Sequence, residues 1–132
     1  MKIGIPILHG RVSPVFDVAR RLLVVYLENG RETARVEKAL DHDGATVRVR
    51  HVIEIGLDVL ICGAISQPIL TMLSVAGVDV IQWKCGDVNE ILDAFMAGQL
   101  TEDAFPLPGF VKQSRHGRNQ GECRLPLGKR ER

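Results

Sequence analysis

Apolar and polar positions alternate from the start of the chain. Over residues 2–8, Ile3, Ile5 and Ile7 share one face of an extended segment and Gly4, Pro6 and Leu8 the other, which predicts a β-strand. Pro6 has no N–H to give to a ladder, so the pattern places it at a sheet edge or where pairing ends. Residues 9–14, His-Gly-Arg-Val-Ser-Pro, read as a turn-rich loop. A second strand is expected over residues 21–27 and a third over 31–40. Asn29-Gly30 lies between them, and a type I′ hairpin turn needs φ > 0 at both central residues. The third strand alternates charged and small residues, as an exposed edge does.

The period then changes. Residues 45–56 fit either a strand (Val47, Val49, Val52) or a helix (Val49, Val52, Ile53), and Gly56 as a C-terminal cap favours the helix. Asp-Val-Leu-Ile-Cys-Gly-Ala over 58–64 is a short apolar run of the kind buried on both faces of a parallel sheet. Ser66 is placed to cap a helix with Pro68 in its first turn, where a missing N–H costs little. Ile69, Met72, Leu73 and Ala76 form its apolar stripe, and Gly77 ends it. Residues 78–83 read as another buried strand. Asp87 and Glu90 resemble a capping box, followed by Val88, Ile91, Leu92, Phe95 and Met96 on one helical face and then Gly98.

A hairpin followed by βαβ crossovers gives a three-layer α/β domain. The expected sheet is five-stranded and mixed, of order 3-2-1-4-5, with strand two antiparallel to the rest. That architecture is ribonuclease H-like.

The 132 residues suit one core, and 45% hydrophobic with 25% charged residues is ordinary for a soluble domain. No apolar run approaches the ~20 residues of a membrane span. The N-terminal apolar stretch ends at Leu8 without a cleavage motif, so a cytoplasmic protein is expected. The net charge of +1 divides unevenly: residues 1–110 carry 10 Lys/Arg and 14 Asp/Glu, and residues 111–132 carry 7 and 2. A domain over 1–109 is therefore expected to be followed by a basic tail over 110–132 with little fixed structure, a solvated terminus first and otherwise a docking arm for an acidic partner protein or an anionic ligand. Neither nucleic acid nor membrane is an expected partner. Cys62, Cys85 and Cys123 are odd in number and widely spaced, with no zinc-finger pattern, which fits a reducing compartment.

In open α/β sheets ligands bind beyond the carboxyl ends of the strands, where strand order reverses. Here that point lies between strands one and four. The loops meeting there bring His9, Arg11, Ser13, Ser66, Lys84 and Cys85. Helix N-termini at Ser66 and Asp87 add N–H groups suited to an anion. His9 and Cys85 are the candidate metal ligands: the imidazole is a common ligand, and Lys84 beside Cys85 favours a thiolate. Cys62, inside a buried strand, reads as a core thiol. Ribonuclease H-type nucleases need carboxylates on the first strand, and residues 2–8 have none. GxxxxGK[ST], GxGxxG and GxSxG are likewise missing from the sequence, so a non-enzymatic role is expected.

The segments GRVSPVFDVARRLLVV (10–25), LDVLICGAISQP (57–68) and GDVNEILDAFMAGQL (86–100) closely resemble the dinitrogenase iron–molybdenum cofactor biosynthesis family. This group includes NifX-like proteins and the C-terminal domain of NifB-type proteins. The resemblance covers about residues 1–109. It implies a nitrogenase accessory factor fold and binding or carriage of an iron–sulfur or iron–molybdenum type cluster, or its precursor. Many relatives carry cysteines after the Pro-Gly that follows the last helix, whereas Pro108-Gly109 here precedes Phe110-Val111. A homodimer, His9 or an exogenous thiol would then complete a ligand set. The alternative role is a regulatory or docking module that uses the basic tail without metal. A third, an enzyme acting on a small anion at Ser66, has least in its favour.

Overall fold

A computed structural model describes residues 1–40, 44–100 and 104–106. Its elements are β1 (Lys2–Leu8), β2 (Arg11–Val12), a 3-10 turn (Phe16–Val18), β3 (Arg21–Glu28), β4 (Arg31–Ala39), α1 (Ala45–Ile55), β5 (Val59–Ile61), α2 (Gln67–Val75), β6 (Asp79–Ile81) and α3 (Val88–Met96). The basic tail, with Cys123, lies outside the described residues.

The sheet runs β4-β3-β1-β5-β6, with β2 paired to the end of β1. β1 is antiparallel to β3 and parallel to β5, and β5 is parallel to β6. The Asn29-Gly30 turn forms as its chemistry requires, with φ of 56° and 77° and Glu28 opposite Arg31. β2 and the 3-10 turn are not visible in the hydrophobic pattern, because each is too short to show a period.

Pro6 sits in a central strand without leaving a gap in the ladder. Pairing of β1 with β5 extends only to Gly4–Leu60, and Pro6–Leu22 is the last β1–β3 pair. The Pro6 carbonyl accepts from Ser13 N–H at 2.8 Å, so only its missing donor is unused.

Alternation sorts the strands onto two cores. Leu22, Val24, Leu60 and Cys62 pack with Val49 and Val52 of α1 and Ile69 and Leu73 of α2. Ile3, Ile5, Val25 and Ile61 pack with Val88, Ile91 and Leu92 of α3 on the opposite face. Each such buried side chain contributes roughly 1.5–3 kcal/mol through removal from water. Ile53 departs from its expected place and is 43% exposed. α1 ends at Gly56, whose left-handed conformation lets its N–H reach Val52 O and Ile53 O. None of the described helices is long and apolar enough to cross a membrane.

Candidate functional site

The chain after β1 fixes the geometry at the strand ends. His9 and Gly10, with φ of 55° and 77°, form a two-residue turn that folds β2 back so that Leu8 pairs with Arg11. Val12 N–H then donates to Gly86 O at 3.0 Å and Val88 N–H to Gly10 O at 3.1 Å. These bonds join the first loop to the N-terminus of α3.

Residues 13–16 next run beside the end of β5. Ala64 N–H donates to Pro14 O and Phe16 N–H to Ala64 O, both at 2.8 Å. Gly63 permits this approach: a Cβ there would stand 2.5 Å from Pro14 O. The gap between the first strand and its parallel neighbour is thus filled by the protein's own backbone. The open space lies instead on the β3 side of β1, as a groove of about 820 Å³.

Leu8, Val15 and Val18 line this groove and are 42%, 38% and 70% exposed. His9, Ser13, Arg20, Arg21 and Glu37 supply its polar groups. Arg21 pairs with Glu37 at 3.0 Å, leaving the rim with an excess of cationic side chains. The groove therefore suits an anion with a soft or apolar body.

Two charged residues hold the 3-10 turn that shapes this wall. Arg48 of α1, 6% exposed, donates to Ala19 O at 2.7 Å and Phe16 O at 3.3 Å, and its guanidinium lies 5.7 Å from the Phe16 ring centre. Asp17 accepts the Ser66 N–H at 2.9 Å, tying the turn to the start of α2. The sequence pattern singles out neither residue. The signal it does hold for Arg48 is a charge on the same helical face as Val49 and Val52, since Arg is almost never buried without partners.

His9 and Ser13 of the expected set reach the groove. Ser13 is 5% exposed, so little of it meets solvent. Arg11 lies in β2, bridged to Asp87, and does not line the groove. Ser66 stands at the N-cap of α2 but makes no side-chain cap bond, contrary to the expected capping role. Its N–H is already taken by Asp17, and Val88 N–H by Gly10 O. Asp87 accepts from Asn89 and Glu90 N–H, so an outside anion at either helix start would meet a carboxylate. Lys84 is 2% exposed and donates to Ala104 O at 2.7 Å, which places its ammonium inside the fold.

Cys85 is also buried, at 3%, packing with Ala64 and Trp83. It is disulfide-bonded, which the cysteine spacing does not predict, and donates no thiolate to a metal in that state. Trp83 has φ of 65°, an outlier for so large a side chain, held by Trp83 N–H to Gly63 O at 2.9 Å. Cys62 is a free, fully buried thiol, as expected of a core cysteine. Burial, reinforced by the Asp17 carboxylate, pushes it up to about 12. Since the folded value lies above that of an unfolded cysteine, this group's stabilising contribution is complete below the unfolded value. It is lost as pH rises toward about 12. Iodoacetamide should leave Cys62 unmodified in native protein at neutral pH and modify it once the chain is unfolded. Modification at equal rates would refute its burial as a neutral thiol.

Comparison with known proteins gives the family and the fold. The sequence pattern of the dinitrogenase iron-molybdenum cofactor family matches residues 1–98. The chain belongs to that family. It is 26% identical over 108 residues to an uncharacterised protein of Methanocaldococcus jannaschii, with 76% of this chain and 89% of that protein covered. A crystal structure described as a candidate dinitrogenase of the same organism is 19% identical. It superposes with a TM-score of 0.64 over 80% of this chain and 97% of the other. A solution structure of a candidate NifB protein from Thermotoga is 26% identical, with a TM-score of 0.59 over 86% and 98%. The fold is the mixed α/β fold of these dinitrogenase-like proteins.

Proposed function

We propose that this chain is a non-enzymatic carrier for an iron–sulfur or molybdenum-containing cluster, or its precursor, and that the cargo sits in the groove beside His9. The layering is read as ribonuclease H-like, with the groove at its strand ends. The observation that carries the proposal is the groove's composition in a member of this family: one imidazole, Arg20 and Arg21 around an apolar floor of Leu8, Val15 and Val18.

Among the described residues no three His, Cys, Asp or Glu side chains stand close enough to hold a metal ion. The cargo on this reading arrives assembled, carries non-protein ligands of its own, and is held by charge and contact with His9 as its one protein ligand. Such a hold is weak enough to release the cluster to a recipient. Cys85 does not line the groove and is buried against Ala64 and Trp83, so it takes no part in this hold.

The test is anaerobic incubation with iron, sulfide and molybdate under reductant, followed by desalting. Charge-transfer absorption retained by the wild type should fall several-fold in His9→Ala and in Arg20→Ala/Arg21→Ala, and not in Cys85→Ser. A colourless, metal-free wild type would overturn the proposal.

A further inference from the structure

β4 is nine residues long, forms one end of the sheet, and is mostly exposed. Its outer edge has no strand partner among the described residues. Charges on an edge normally block pairing with other strands. Here their order instead favours one symmetric register, centred on the middle of the strand.

Register with β3 assigns the faces of β4. Leu23 and Val25, in the α3-side core, stand opposite Glu37 and Arg35. Leu22 and Val24, in the core under α1 and α2, stand opposite Lys38 and Val36. Val36 is 43% exposed at the outer edge. On the α3 side the charges already alternate in sign: Arg21 pairs with Glu37 at 3.0 Å, and Arg35 with Glu32 at 2.6 Å. Arg35 also donates to Asn89 Oδ1 of α3 at 3.0 Å, which fixes the side of the sheet on which its charge lies.

The geometry points to a homodimer in which two β4 edges pair antiparallel about a two-fold axis through Val36, joining the sheets. In that register Val36 meets its own copy, and Ala34 meets Lys38 of the other chain. Arg35 meets Glu37 of the other chain twice. The existing pairs then extend into the row Arg21, Glu37, the partner's Arg35, the partner's Glu32, alternating in sign throughout. Slipping the axis by one residue puts Arg35 against Arg35 or Glu37 against Glu37, and like charges directly opposite are destabilising. Charge therefore selects the register as well as the partner, and the partner is a second copy of this chain.

The pairing makes a specific demand on variants. Arg35→Glu sets carboxylate against carboxylate at both crossing points of the dimer, and Glu37→Arg sets guanidinium against guanidinium. Each variant repels itself, yet the two complement each other.

Light scattering of the full chain at high-micromolar concentration should give twice the chain mass for the wild type and the chain mass for each variant. An equimolar mixture of the two folded variants should recover the dimer. A monomeric wild type, a dimeric single variant, or a mixture that stays monomeric would overturn the proposal. Circular dichroism of each variant separates loss of pairing from loss of fold.

Discussion

Replacing Arg48 by methionine should lower the unfolding free energy by ~2–4 kcal/mol, because hydrogen bonds to a charged group and the penalty for orphaned buried acceptors are each of that order. The methionine keeps most of the apolar stem but has no donor for Ala19 O, while Phe16 O loses the guanidinium and keeps only the Ala19 N–H at 3.1 Å. It also removes a cation from above the Phe16 ring. Urea unfolding should show a lower midpoint with an unchanged slope. Amide exchange should quicken across residues 16–19, where the turn loses its anchor, before it quickens in β1 or β5. An unchanged midpoint would show that the guanidinium contributes nothing net at this position.

Gly63→Ala should be at least as damaging, at ~2–4 kcal/mol, the upper range for overpacking that the surroundings cannot absorb. The added methyl would meet Pro14 O at 2.5 Å and Ser13 O at 3.0 Å. Both are backbone atoms, and Pro14 O is engaged with Ala64 N–H. Relief therefore requires residues 13–16 to move away from β5 and into the wall of the groove. Gly4 makes a useful comparison, since a Cβ there would run into the Leu57 side chain, and a side chain can turn aside. Gly63→Ala should accordingly impair both stability and ligand retention, whereas Gly4→Ala should affect stability alone. Equal retention in Gly63→Ala and wild type would separate the groove from this segment.

What is legible in the sequence follows from where the information is local. The Asn29-Gly30 turn depends on two backbone angles, and those residues adopt them. The stripe Val88, Ile91, Leu92, Phe95 and Met96 is periodic over the nine residues of α3, and its first three members are buried as the spacing requires. The groove is not legible. Its position depends on residues 13–16 lying against Gly63, a contact about 50 positions apart along the chain, and periodicity carries no such term. For the same reason Lys84 and Cys85 read as cleft residues although both are buried. Sequence places them after a strand, but the contacts of Lys84 with Ala104 and of Cys85 N–H with Phe105 O that draw them inward come from a later segment. Asp17 shows the converse. It lies within the GRVSPVFD segment that carries the family resemblance, and its carboxylate holds the start of α2 by accepting the Ser66 N–H, where the pattern expects the Ser66 hydroxyl to act.

The location of the cargo is the claim on which the rest depends. Tetrathiomolybdate, a diamagnetic anion of molybdenum and sulfide, can be titrated into isotope-labelled protein while backbone amide shifts are followed. Shift changes should concentrate on Leu8, His9, Gly10, Val15, Val18, Arg20 and Arg21, weaken with added salt, and largely vanish in Arg20→Ala/Arg21→Ala. Changes centred instead on the cavity beside Glu90 and Asp93, or no saturable change anywhere, would contradict it.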